Sequence, residues 1–239
     1  MVSHLRDSPR QSRAIDACEM RAVYVGPIGL PGTLAIPSGA RALIVFAHGS
    51  GSSRLSPRNR AVADALNGQT FATLLFDLLT PEEEADRANV FDIPLLAGRL
   101  IDAVHWIDRD PLVGGIPVGL FGASTGAAAA LTAAAQLGDR VGAIVSRGGR
   151  PDMAGDALDR IRTPTLLIVG GIDSDVIELN RQAFARLKGP KALEIVPGAS
   201  HLFPEPGALE AVIGHAARWF RQNLGSGPPD RTRAANPPA

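Results

Sequence analysis

Six short, largely apolar runs, most of them followed by a stretch with helical spacing, constrain this chain more than any other feature. The first, residues 42–47, is apolar at every position. A strand with one wet face alternates in polarity, whereas one that is apolar throughout belongs to a parallel sheet covered on both sides. Comparable runs follow at 72–76, 117–122, 141–146, 164–169 and 192–196. Residues 57–67, 92–109, 125–137, 176–188 and 206–223 read as helices. The first has Pro57 near its first turn, and the second has Leu96, Leu100, Ala103 and Ile107 at helical spacing. An earlier pair, 22–25 and 32–36, reads as an antiparallel edge hairpin. This alternation predicts an α/β fold, a mostly parallel central sheet with helices on both faces.

The 239 residues suffice for one sizeable core. Residues 1–19 read as a flexible leader, 20–224 as the folded domain, and the Gly- and Pro-rich 225–239 as a disordered tail. Basic and acidic residues balance at 24 each, so no net field favours nucleic acid or an anionic membrane. A small, roughly neutral ligand is expected instead. The leader lacks the apolar segment of a secretory signal and no run approaches a membrane span, which makes a cytoplasmic location the default. The single Cys18 rules out an internal disulfide framework and a cysteine metal site, and reads as an incidental thiol. No metal or organic cofactor is called for, and a homo-oligomer stays open.

In a parallel sheet, chemistry sits beyond the carboxyl ends of the strands. The run 117–122 leads into Gly122-Ala123-Ser124-Thr125-Gly126 and then an alanine-rich helix. This G-x-S-x-G pattern between strand and helix is the setting of a nucleophile elbow, where the neighbours of a projecting serine must be small. The competing reading is an ordinary strand-to-helix loop. A serine hydroxyl needs a base. Among five histidines, His201 lies in a loop beyond the last strand, where it can reach the sheet centre; its bland reading is a helix cap. His105 and His215 fall within helices, His4 in the leader, and His48 at the end of the first buried run. The base in turn needs an acid to hold its tautomer. Asp173 and Asp175 both follow the run 164–169. Asp173 is preferred, because Asp175 is placed to cap a helix starting at Val176.

An oxyanion hole requires backbone N–H donors. The Thr125 amide, directly after the nucleophile, is one. The other comes from the glycine-rich residues 48–54, with Ser50 preferred over Gly51. A phosphate loop is disfavoured there, because the run lacks both G-x-G-x-x-G spacing and a Gly-Lys-Ser/Thr ending. Two features stay open. The acidic residues 80–89, with Glu82, Glu83 and Glu84, read first as a solvated charge run and second as a rim of the site. Arg54 pairs with a nearby acid or meets a substrate carboxylate.

His48-Gly49, Gly122-x-Ser124-x-Gly126, Asp173 and His201, in this order, resemble the α/β-hydrolase superfamily over about residues 20–224. The elbow and the His-Gly-Ser-Gly-Ser-Ser-Arg loop are most similar to dienelactone hydrolase-related proteins. Standard dienelactone hydrolases carry a cysteine nucleophile, whereas position 124 is serine. The resemblance therefore implies a serine hydrolase of small carboxylic esters, lactones or thioesters, working through an acyl-enzyme. Amide or carbon–carbon bond hydrolysis by the same triad is the alternative, and a non-catalytic binding protein on this scaffold a further one. Residues 147–163 hold one short helix at most, so no large lid domain is expected and short acyl chains are favoured.

Overall fold

A computed structural model describes residues 18–225; most of the leader and nearly all of the tail read from the sequence lie outside the described residues. The chain opens with a hairpin of β1 (Cys18–Val25) and β2 (Leu30–Pro37). Exposed Cys18 is thus the first residue of a strand, several residues earlier than expected. There follow β3 (Ala42–Ala47), α1 (Pro57–Asn67) and β4 (Phe71–Phe76). Two short helices, α2 (Pro81–Ala85) and α3 (Arg87–Val90), then precede α4 (Ile93–Ile107). The second half runs β5 (Val118–Ala123), α5 (Thr125–Leu137), β6 (Val141–Arg147), β7 (Thr165–Gly170), α6 (Ser174–Arg186), β8 (Lys191–Val196) and α7 (Ala208–Leu224). A kinked 3-10 segment, Pro151–Arg160, joins β6 to β7.

All eight strands form one sheet in the order β1-β2-β4-β3-β5-β6-β7-β8. β3 to β8 are parallel, and β2 runs antiparallel to β4. The register shows why the runs are apolar throughout. Ala42, Ile44 and Phe46 face the core under α1 and α7, while Leu43, Val45 and Ala47 face the core under α4, α5 and α6. Each fully buried Leu, Ile or Phe contributes about 1.5–3 kcal/mol to that packing.

Two local choices set the stage for the site. Helix α5 is sheathed in buried alanines, so it lies close against the sheet. A Cβ at Gly122 would land on the main chain of Ala127. The acidic 80–89 segment is helical rather than an open loop. Thr80 and Glu83 cap α2 reciprocally, with Glu83 N donating to Thr80 Oγ1 at 3.2 Å and Thr80 N to Glu83 Oε2 at 3.0 Å. Arg99 of α4 grips the other Glu83 oxygen at 2.6 Å.

Candidate active site

The chain reverses direction at Ser124, between β5 and α5, with φ 51° and ψ −121°. For a non-glycine residue this conformation costs about 1–3 kcal/mol, so its surroundings must impose it. They do so through the main chain. Ser124 N donates to Arg147 O at 3.3 Å, and Ser124 O accepts from Ala127 N and Arg150 N, both at 3.1 Å. Glycine makes room: a Cβ at Gly126 would land on the carbonyl oxygens of Ala47 and His48, and one at Gly49 would come within 2.9 Å of Ser124 Cβ. The expected crowding around the serine is therefore present on three sides.

Beyond β7, Asp173 occupies the cap position of α6, yet its side chain makes no capping bond. Instead Asp173 Oδ2 accepts from His201 Nδ1 at 2.8 Å. Asp175, the rival, lies exposed in the first turn of α6, a helix that starts two residues earlier than expected. The His201 loop is pinned from below. Phe203 is buried at φ 55°, and Ile172 N donates to Ala199 O at 3.0 Å, tying the aspartate loop to the histidine loop. Glu205 Oε2 accepts from Ser200 N at 3.1 Å, a bond that holds the Glu205 carboxyl below its usual range.

Gly148 links these loops to the elbow. At φ 51° it follows Arg147, which holds Ser124, and a Cβ there would come within 2.8 Å of His201 O and 3.7 Å of His201 Cε1. In the sequence Gly148 is marked by no motif, only by being the first of two consecutive glycines directly after a buried strand.

The two expected oxyanion donors are adjacent, but one is engaged. Ser50 N donates to Thr125 Oγ1 at 2.9 Å. The Thr125 amide opens α5, where a helix leaves its first donors without an intrahelical acceptor. Arg54 pairs with Asp77 through its amide at 2.7 Å and its guanidinium at 3.0 Å, which answers the question left open for it. His48 spans the same loop. Its Nδ1 donates to Gly49 O, and its Nε2 accepts from Leu78 N, both at 3.1 Å. Burial pushes its pKa below the ordinary value, which favours this neutral form.

Next to Thr125 lies a cavity of about 120 Å³, lined by His48, Leu78, Leu79, Val90 and Leu96, with Glu84 also on its wall. One residue of the acidic segment, Glu84, thus lines this cavity, while Glu82 is exposed to solvent. Among the described residues, no three His, Cys, Asp or Glu side chains gather at metal-binding distance, and no helix is long and apolar enough to cross a membrane.

No family model matches the chain. A crystal structure described as dienelactone hydrolase from Anabaena variabilis ATCC 29413 is 52% identical, with a TM-score of 0.83, and the match covers 87% of this chain and 99% of that one. The chain belongs to the dienelactone hydrolase family. It thus has the α/β-hydrolase fold. A structure from Xanthomonas campestris, described as an α/β serine hydrolase without lid, shares the fold at 20% identity and a TM-score of 0.68, over 88% of this chain and 97% of that one. Two Mycobacterium tuberculosis proteins, from strains H37Rv and CDC 1551, are each 59% identical over 207 residues, 86% of this chain and 47% of theirs. Both carry the name putative phosphoribosyl transferase. The chain spans about half the length of these curated relatives.

Proposed function

We propose that this dienelactone hydrolase family member is a serine hydrolase of small carboxylic esters, lactones or thioesters. The observation that carries the reading is the 2.8 Å bond between His201 Nδ1 and Asp173 Oδ2, in loops linked through Gly148 and Arg147 to the strained turn at Ser124. Ser124 Oγ attacks the acyl carbon as His201 Nε2 takes its proton, and Asp173 holds Nδ1–H and stabilises the imidazolium. The oxyanion rests on the Thr125 and Ser50 amides, each contributing about 2.7–4 kcal/mol to the transition state. For Ser50 to donate, the Thr125 hydroxyl turns away from it as the carbonyl oxygen arrives. The leaving group departs with the proton from His201, and water repeats the sequence to release the acid. The cavity beside Thr125 is slightly smaller than the ~150 Å³ that holds benzene in an engineered protein core. That size supports short acyl groups.

The phosphoribosyl transfer in the name of the mycobacterial relatives we assign to the half of those proteins outside the match. In the glycine-rich loop here the Arg54 amide already serves Asp77, and the Asp77 carboxylate would repel a phosphate.

A fluorophosphonate probe read by mass spectrometry tests the main reading. Labelling of Ser124 that disappears in Ser124→Ala is expected; folded wild-type protein that stays unlabelled would refute it. A panel of p-nitrophenyl esters, with anilides beside them, then separates ester from amide hydrolysis.

A further inference from the structure

Helix α6 turns Val176, Asn180 and Ala183 to the interior, and Asn180 is the polar residue of that stripe, fully buried. A buried amide is costly unless its donors are met. Asn180 Nδ2 donates to Val176 O, one turn back in its own helix, at 2.8 Å, and to Gly149 O, 31 residues away in the chain, at 3.0 Å. Among the described residues its Oδ1 meets no donor. The amide therefore has one orientation, because turned over it would set Oδ1 against both carbonyl oxygens. Aspartate would do the same with a charge, and leucine, of similar size, would leave Gly149 O bare. Gly149 itself has no slack. A Cβ there would land on Ser146 Oγ and come within 2.6 Å of Ala127 Cβ, so the residue is held between β6 and α5 on one side and α6 on the other.

The turn that Asn180 grips is the one that holds the nucleophile. Arg147 O accepts from Ser124 N at 3.3 Å and Arg150 N donates to Ser124 O at 3.1 Å, so residues 147–150 hold Ser124 by both of its main-chain groups. Gly148, between them, donates through its amide to Ile168 O of β7 at 2.8 Å. Asn180 reaches this turn from the helix that has Asp173 at its cap position, about two turns further along the axis. Among the described residues, no other side chain of α6 bonds to residues 147–150. One amide thus ties the element that carries the acid to the element that carries the nucleophile. We propose that Asn180 is a positioning residue for the reaction at Ser124: by holding Gly149 O it keeps the Ser124 turn in register with the Asp173–His201 pair. It touches neither the substrate nor a reacting atom. Its effect falls on proton transfer from Ser124 to His201, which requires the two side chains to come within hydrogen-bond reach.

The proposal rests on the ester-hydrolase reading, so its test has one arm that needs no catalysis. That arm follows native-state hydrogen exchange of the full chain by NMR. In Asn180→Leu the amides of Ser124, Gly148 and Arg150 should lose about tenfold more protection than those of buried Leu120 and Val145, because the turn opens while the sheet stays closed. Equal losses at all five amides, or none, overturn the proposal, since Asn180 then stabilises the fold and no particular register. The catalytic arm reads p-nitrophenyl acetate hydrolysis and the rate of fluorophosphonate labelling. Asn180→Leu should lower kcat and the labelling rate about ten- to a hundredfold with KM within about threefold, the loss that about an ångström of misplacement brings. Added to Asp173→Asn, the same substitution should cost less than about threefold, because the pair it aligns is already disabled. Wild-type kcat in folded Asn180→Leu, or the same loss in both backgrounds, overturns the proposal. Should Asn180→Leu fail to fold, Asn180→Ser replaces it in both arms with the same outcomes; its hydroxyl reaches back to Val176 O and is too short for Gly149 O. If wild-type protein neither cleaves the ester nor takes the label, the hydrolase reading fails by itself, and the exchange arm still decides the coupling.

Discussion

Ser124 offers a test of the elbow that does not depend on substrate. Its φ of 51° and ψ of −121° carry a strain of about 1–3 kcal/mol for any residue with a Cβ. Glycine escapes that strain, at an entropic cost of about 0.5–1 kcal/mol relative to alanine. Ser124→Gly should therefore be more stable than Ser124→Ala by the difference, about 1.25 kcal/mol at the middle of the two ranges. Both variants lack the hydroxyl and keep the main-chain bonds to Arg147, Ala127 and Arg150, so those terms cancel. For a domain of this size each kcal/mol moves the melting point by about 2–4 °C, which puts Ser124→Gly about 2.5–5 °C above Ser124→Ala. Urea titrations at constant m-value, run beside thermal melts, read the same difference. Equal stabilities, or Ser124→Ala the more stable, would refute the account of a strained turn held by its neighbours. Ester hydrolysis in both variants should fall by at least about three orders of magnitude.

Other predictions follow from neighbouring contacts. Asp173→Asn should lower kcat by about 10³–10⁴, because the amide stabilises the wrong imidazole tautomer, while Asp175→Asn stays within about twofold of wild type in the same steady-state assay. Gly126→Ala drives a Cβ onto the Ala47 and His48 carbonyls and should cost about 2–3 kcal/mol or more in urea unfolding. Thr125→Val leaves the Ser50 amide without its acceptor, a loss of about 1–3 kcal/mol in the same titration that Thr125→Ser largely avoids. His48 sets a pH dependence. Its folded pKa is depressed below the ordinary 6.5, so the unfolded chain binds its proton more readily. The stability it contributes is complete above about pH 6.5 and is lost as pH falls toward the folded value. Melting points at pH 7 and pH 5 should therefore diverge less in His48→Asn than in wild type.

Much of the fold was legible because the determining signals are local. The run 42–47 coincides with β3, and the stretches 57–67 and 125–137 coincide with α1 and α5. In each, one window of sequence carries both the apolar pattern and its boundary. What escaped depends on partners distant in the chain. Three consecutive glutamates look like a solvated run until Arg99, 16 residues on, holds Glu83 and fixes α2 beside the cavity. Start signals misplaced α6, because Asp173 stands at the cap position but turns its side chain to His201, 28 residues away.

The fastening of the helix beside the cavity has a kinetic meaning. Helix α2 is locked by its own capping box, fastened to α4 through Glu83 and Arg99, and braced by Asn89 Nδ2 donating to Glu83 O at 2.9 Å. A wall bolted this way acts as a calliper rather than a trap. Under the proposed ester hydrolysis, such a wall would exclude an oversized acyl chain at every instant, with no closed interval to wait out and no hinge to set the pace of product escape. Turnover on a small ester should then be indifferent to solvent viscosity, and enlarging the accepted chain should require cutting into the walls at Leu79 or Leu96 rather than loosening α2.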